Sequence, residues 1–111
     1  MALGTSAGGL AAICAADLNR WMRVVAVGCD IPANHPELMK CLDETRNQSK
    51  LQVRLLYSDQ VARDNEAALA VAQLYPDAVK IADNEIDHNL LYQFYKSGRL
   101  RAFFADNFGA A

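Results

Sequence analysis

Residues 4–8 read Gly-Thr-Ser-Ala-Gly and place Ser6 between two glycines, at the spacing of a nucleophile elbow. In such an elbow a serine on a sharp strand-to-helix turn attacks a carbonyl carbon, and a histidine takes its proton. The elbow needs a strand before it, but only residues 1–3 precede the motif. The sequence therefore favours a flexible start, or a helix cap at Thr5 or Ser6, with a hydrolase serine as the alternative.

The same motif resembles the serine motif of patatin-type lipases. That family carries its partner carboxylate in an Asp-Gly motif, and no such motif follows in this chain. The hydrolase interpretation of Ser6 therefore rests on one motif alone.

Three acidic residues, Asp83, Glu85 and Asp87, alternate like the ligands of a calcium loop. However, His88 stands where that loop needs glycine, and Phe94 stands where its closing glutamate belongs. The pattern predicts a solvated acidic loop and no metal site.

Three basic residues near the C-terminus, Lys96, Arg99 and Arg101, are interleaved with aromatic residues such as Phe103. Positive charge with stacking rings is one way to bind single-stranded nucleic acid, which makes these residues candidate ligand contacts. The formal net charge of -2 argues against that function. The favoured interpretation is a hairpin with a charged tip.

The three cysteines, Cys14, Cys29 and Cys41, are odd in number and form no C-x-x-C pair. None lies near a histidine at the spacing of a zinc site. This usage predicts buried, reduced thiols in a cytoplasmic protein, without a metal or other cofactor.

The composition describes one globular domain. The 111 residues are 52% hydrophobic and 22% charged, with 13 acidic and 11 basic side chains, which excludes a strongly basic nucleic-acid binder. No apolar run approaches the roughly 18 residues of a membrane span. Residues 1–16 carry no charged side chain, but their glycines interrupt the apolar run and no positive segment precedes it, so export is not favoured.

Strands and helices alternate along most of the chain. Val24–Cys29 and Leu51–Tyr57 are typical of strands, and Ala78–Ile81 predicts a third. One helix is predicted to start near Asn34, and another to run from about Ser58 to Tyr75. This order predicts an α/β fold with a mainly parallel sheet and flanking helices.

The two ends of the chain are predicted separately. Residues 1–22 are expected to form an N-terminal helical segment, followed by a single α/β domain over residues 23–111. Residues 90–95 and 100–105 fit a hairpin across the turn at residues 96–99, because aromatic residues favour strands. A helical interpretation of the same region remains open.

From residue 21 on, the order of these elements resembles one half of the phospholipase D superfamily. Residues 51–57 look like the second strand of its repeat, and residues 79–81 look like the third. Residues 88–91 occupy the place of the family's His-any-Lys motif, residues 97–99 resemble its turn, and residues 105–108 resemble its terminal Ser-any-Asn-Phe segment. The resemblance implies a phospholipase D-like fold and phosphodiester chemistry.

Two departures bear on that chemistry. The lysine of the family motif is Leu90 here, and its aspartate is Tyr95. Only His88 and Asn107 match residues that the family uses in catalysis. The resemblance therefore implies a non-catalytic binding or interaction protein of unknown ligand.

The alternative is a dimeric phosphodiesterase or nuclease that uses His88 from each of two chains. Either function fits a homodimer, because the aromatic C-terminal region would leave an apolar face to cover. The contact is expected to include Phe103 or Phe104.

Overall fold

The computed structural model describes residues 2–18, 23–45, 51–84 and 87–108. Strands and helices alternate along these ranges. No helix within them is long and apolar enough to cross a membrane. The strands are β1 (Ala2–Thr5), β2 (Arg23–Val27), β3 (Gln52–Ser58) and β4 (Val79–Asp83); the helices are α1 (Ala7–Leu18), α2 (Pro36–Thr45), α3 (Ala62–Leu74), α4 (Leu90–Lys96) and α5 (Leu100–Phe108), with a 3-10 turn at Pro32–Asn34.

The strands form one parallel sheet in the order β1-β2-β3-β4. Thr5 pairs with Val27, Val27 pairs with Leu56, and Ser58 pairs with Asp83. The carboxyl ends of all four strands therefore lie at one edge of the sheet. The predicted α/β class with a parallel sheet is confirmed.

Helices α1, α2 and α3 connect successive strands and pack on one face of the sheet. Leu10 and Ile13 of α1, Leu42 of α2 and Val71 of α3 are fully buried in one cluster with residues of β2 and β3. Strand order equal to chain order, with the connecting helices on one face, is what right-handed crossovers produce. Each helix therefore returns the chain to the amino edge of the sheet, and the loops that lead from a strand into the next helix lie at the carboxyl edge.

The opposite face is covered by α4 and α5. Leu90 and Phe94 of α4 and Phe103 of α5 are buried against Val25 and Leu56 of the sheet. The rings of Phe94 and Phe103 meet edge to face, with centroids 5.7 Å apart. The fold therefore has three layers, with helices on both faces of the sheet.

The predicted C-terminal hairpin is wrong, because residues 90–96 and 100–108 are helical. The turn residue was identified correctly, since Gly98 has φ +78°. It ends α4: the N–H of Arg99 donates to the carbonyl of Phe94 at 2.8 Å, and the Gly98 N–H donates to that of Tyr95 at 3.3 Å. The aromatic residues bury one helical face against the sheet, and that packing outweighs their strand propensity.

The N-terminal elements belong to the same sheet and core as the rest of the chain. β1 pairs with β2 along its whole length, and α1 contributes to the main cluster through residues such as Ile13. The predicted boundary at residue 22 lies outside the described residues.

Candidate active site

Ser6 occupies a tight turn between β1 and α1. Its φ is +51°, in the left-handed region that non-glycine residues rarely adopt. Its N–H donates to the carbonyl of Val27 at 3.1 Å, and its own carbonyl accepts from the N–H groups of Gly9 at 3.0 Å and Asp30 at 3.2 Å. The expected flexible start is wrong, because a short strand and three backbone hydrogen bonds fix this serine.

Gly4 of the motif and Gly9, which directly follows the motif, are needed for steric reasons, whereas a Cβ on Gly8 would meet nothing within 4 Å. A Cβ on Gly4 would collide with the carbonyl of Gly8 in the first turn of α1. A Cβ on Gly9 would lie 3.1 Å from the Cβ atoms of Ala26 and Cys29. These two positions therefore let α1 begin directly beside β1 and pack closely on the strand next to it.

The Ser6 hydroxyl is hydrogen bonded to His88. Ser6 follows the edge strand β1, and His88 follows β4, the strand at the opposite edge of the sheet. Ser6 Oγ lies 2.6 Å from His88 Nε2, and His88 Nδ1 lies 2.7 Å from Oδ2 of Asp64. A carboxylate can only accept, so the hydrogen-bond network places the ring proton on Nδ1. Nε2 is then free to accept the proton that Ser6 donates.

Asp64 is the buried end of this chain of hydrogen bonds. Its side chain is 2% exposed, whereas that of His88 is 43% exposed. It lies in the first turn of α3, where the positive end of the helix dipole favours a carboxylate. The acid is shielded from water and the base is open to solvent, so a substrate approaching from solvent can reach Ser6 and His88.

The segment that carries His88 is held by Asp87. The Asp87 carboxylate accepts from the Asn89 N–H at 3.0 Å and from the Gln93 amide at 2.8 Å, and both bonds hold the pKa of Asp87 below its usual range. These contacts attach the segment to the first turn of α4. The position of His88 is therefore set by α4 as well as by the end of β4.

A small cavity of about 180 Å³ opens beside Ser6 and His88. Its apolar wall consists of Val27 and Leu90, both buried. The remaining lining residues are polar: Thr5, Ser6, His88 and Asn89.

The structure separates the two residues that match the phospholipase D motif. Asn107 is buried, its side-chain oxygen accepts from Arg54 at 3.1 Å, and its carbonyl accepts from Arg23 at 2.9 Å. Arg23 begins β2, whereas His88 lies beyond the carboxyl edge of the sheet. The length of β2, about 13 Å for its four residue steps, lies between those two edges. Asn107 therefore anchors α5 to the sheet and does not join His88.

The predicted basic contacts lie around the turn between α4 and α5. Arg99 donates to the Asp83 carboxylate at 3.2 Å, so its charge is balanced within the chain. Lys96 ends α4, and Arg101 is exposed on α5. The structure does not bring these residues to Ser6.

The acidic alternation forms no ligand cage in the part that the structure describes. Asp83 pairs with Arg99, Asp87 bonds to α4, and Glu85 lies outside the described residues. No group of three or more His, Cys, Asp or Glu within the described ranges is placed to hold a metal ion.

Leu90 stands where the phospholipase D family carries its lysine, and it is buried. Tyr95 stands where that family carries its aspartate, and it is exposed.

The cysteines form no disulfide bond, and Cys14 and Cys29 are buried, as predicted. Cys41 is half-buried. Burial, with the nearby charges of Asp64 and Asp30, raises the pKa of Cys29 to about 12. The thiol of Cys29 stays protonated near neutral pH and is not a nucleophile.

Asp64 was missed by sequence reasoning, although a signal was present. Serine hydrolases of the α/β type carry their triad in the chain order Ser, Asp, His. Asp64 lies between Ser6 and His88, seven residues after the predicted strand Leu51–Tyr57 ends. That order, applied to the Gly-Thr-Ser-Ala-Gly motif, points to the acidic residues between Ser6 and His88, and Asp64 is one of them.

No protein-family model matches this chain, and no curated protein or solved structure matches it. The phospholipase D-like resemblance therefore stays a prediction.

Proposed function

We propose that this protein is a serine hydrolase that cleaves carboxylic esters through an acyl-serine intermediate. One observation carries the proposal: Ser6, His88 and Asp64 form a continuous chain of hydrogen bonds of 2.6 and 2.7 Å. The serine at its end has φ +51° and follows a strand of a parallel sheet. A serine, a base and an orienting acid in this geometry are the parts of a catalytic triad.

In the first half of the reaction Ser6 Oγ attacks the ester carbonyl carbon as His88 Nε2 takes the hydroxyl proton. The carbonyl π electrons move to oxygen and give a tetrahedral oxyanion. Asp64 stabilises the imidazolium that forms, because its negative carboxylate accepts a hydrogen bond from the Nδ1–H, which stays on the ring. When the oxyanion collapses, the C–O bond to the alcohol breaks, and His88 gives its proton to the leaving oxygen.

The oxyanion needs hydrogen-bond donors, and Ala7 is placed to supply one. Ala7 is the residue after the nucleophile and the first residue of α1. The first N–H groups of a helix have no carbonyl partner within it, and the helix dipole makes that end positive. In elbows of this kind the N–H after the nucleophile binds the oxyanion, so we assign this role to Ala7.

The second half repeats the same proton transfers with water. His88 Nε2 takes a proton from water, whose oxygen attacks the acyl carbon of the Ser6 ester. Collapse breaks the bond to Ser6 Oγ, which recovers its proton from His88 and releases the carboxylic acid. The exposed face of His88 gives water access to this position.

The expectations drawn from the phospholipase D resemblance receive less support. A phosphodiesterase built on His88 needs one ring nitrogen free to attack phosphorus, but both are hydrogen bonded within one chain. A purely binding role does not account for the conformation of Ser6.

The homodimer and the cytoplasmic location stay predictions. Of the two residues named for the dimer contact, Phe103 is buried inside the chain, and Phe104 is 40% exposed. Of the two, only Phe104 is therefore exposed enough to take part in such a contact.

The proposal is tested with a fluorophosphonate probe followed by mass spectrometry of the labelled peptide. We expect one adduct, on Ser6, and hydrolysis of p-nitrophenyl acetate. Ser6→Ala should abolish labelling and lower kcat at least about 1000-fold. Ser97→Ala, an exposed serine in the turn between α4 and α5, is the matched control and should change neither. Labelling that persists in Ser6→Ala would contradict the proposal.

A further inference from the structure

Asp30 lies outside the proposed triad, but it is hydrogen bonded to Ser6 and to Arg63, the residue before Asp64. It follows β2 at the carboxyl edge, and its backbone N–H donates to the carbonyl of Ser6 at 3.2 Å. Its Oδ1 accepts from Arg63 at 2.7 Å and from the Ile31 N–H at 2.9 Å, and its Oδ2 lies 2.7 Å from His35 Nε2. With only 12% of its side chain exposed, Asp30 is held in one position by four partners.

Arg63 connects this network to the catalytic acid. It immediately precedes Asp64 in the first turn of α3, so the Asp30–Arg63 bond fixes the start of that helix. Asp30 therefore joins the turn that carries Ser6 to the turn that carries Asp64. The two turns follow different strands, β1 and β3, and the segment after β2 lies between them.

We infer that Asp30 and Arg63 are positioning residues that set the distance between Asp64 and the Ser6–His88 pair. The inference rests on the proposed function, since it assigns the pair a role in that triad. Neither residue is assigned contact with substrate. A misplacement of about 1 Å in a catalytic group can lower a rate about 100-fold, so a bond of this kind affects kcat.

Arg63→Gln is the principal test, because the Arg63 side chain is 64% exposed and its loss should leave the protein folded. We expect kcat for p-nitrophenyl acetate to fall about tenfold, with KM unchanged within about twofold. Arg63→Lys keeps a cation for Asp30 and should recover most of the rate. Arg101→Gln, an exposed arginine on α5, is the matched control and should match the wild type.

The proton NMR resonance of the His88 Nδ1–H, which donates to Asp64 at 2.7 Å, reports the Asp64–His88 bond without any turnover, with His88→Gln used for assignment. If the wild type neither hydrolyses esters nor reacts with the probe, the proposed function fails. An upfield shift of this resonance in Arg63→Gln, which signals a weaker bond to Asp64, would then still support the coupling of Arg63 to Asp64 and His88.

A double-variant cycle completes the test. If Asp30 and Arg63 act as one unit, Asp30→Asn/Arg63→Gln should be no slower than the slower single variant. An unchanged kcat in Arg63→Gln, an unchanged His88 Nδ1 proton resonance in that variant, or losses that multiply in the double variant would each overturn the inference.

Discussion

Gly28 lies directly against the imidazole ring of His88. A Cβ placed on Gly28 would stand 3.1 Å from Cε1 and 3.2 Å from Nδ1 of that ring, and the Gly28 backbone has φ +53°. Gly28, the residue directly after β2, therefore forms part of the surface on which the proposed base packs.

Gly28→Ala should lower kcat for an ester substrate by about 100-fold, because the added methyl group displaces the His88 ring from Ser6. Gly98→Ala is the matched control, since Gly98 also has a positive φ but a Cβ there meets nothing within 4 Å. Both variants should lose about 1–2 kcal/mol of unfolding free energy in denaturant titrations. Equal kcat values in the two variants would show that Gly28 does not position the ring.

Asp64→Asn should keep the shape of the site, but the side chain at position 64 would no longer hold the His88 ring proton on Nδ1. The amide can donate to Nδ1, which would move the ring proton to Nε2 and remove the acceptor for the Ser6 hydroxyl. We expect kcat to fall by about 10³ to 10⁴ in steady-state assays. Asp77→Asn, an exposed position after α3, provides the control. A loss of less than about tenfold would remove Asp64 from the triad.

The cavity beside Ser6 limits the acyl group. At about 180 Å³ it lies below the 300–1,000 Å³ of typical ligand pockets, so kcat/KM should decrease from p-nitrophenyl acetate and butyrate to the decanoate. Val27→Ala widens the apolar wall and should move the preference toward longer chains. Val79→Ala, 52% exposed on β4, should leave the order unchanged. A wild-type preference for the decanoate would contradict this prediction.

Acid stability should depend on Asp30. Hydrogen bonds from His35 and Arg63 hold the pKa of its carboxyl far below the ordinary value of 3.8. A group with a lowered pKa in the folded state stabilises the protein fully above its unfolded pKa, and that contribution disappears as the pH falls below 3.8 toward the folded value. In urea titrations from pH 6 to pH 3, Asp30→Asn should therefore lose less stability than the wild type. Parallel curves for the two proteins would show that Asp30 is not linked to acid unfolding.

The sheet was predictable because its signal is local. Val24–Val27 and Leu51–Tyr57 are apolar or alternating runs, and their period alone indicates strands that are buried in a parallel sheet. β1 carries no such signal, since its four residues include a glycine and it is defined by pairing with β2. Because the sequence did not predict this strand, it did not favour a nucleophile elbow at Ser6.

In the C-terminal region, local propensity was not enough to predict the secondary structure. Phe94 and Phe103 have strand propensity, but their neighbours on the buried side, Leu90 and Asn107, are spaced four residues away, as on a helix. Local propensity could not decide between the two periods, because the deciding contacts are with the sheet. The role of Asp64 depends in the same way on His88, 24 residues later in the chain.

The proposed triad extends across the whole sheet. Ser6 follows the edge strand β1, His88 follows the opposite edge strand β4, and Asp64 follows β3 between them. No pair of neighbouring strands is sufficient to bring the three side chains together. The chemical reactivity of Ser6 should therefore act as a sensor of global folding. In increasing urea, its labelling rate should decrease in the same transition as the far-ultraviolet circular dichroism, with no reactive intermediate.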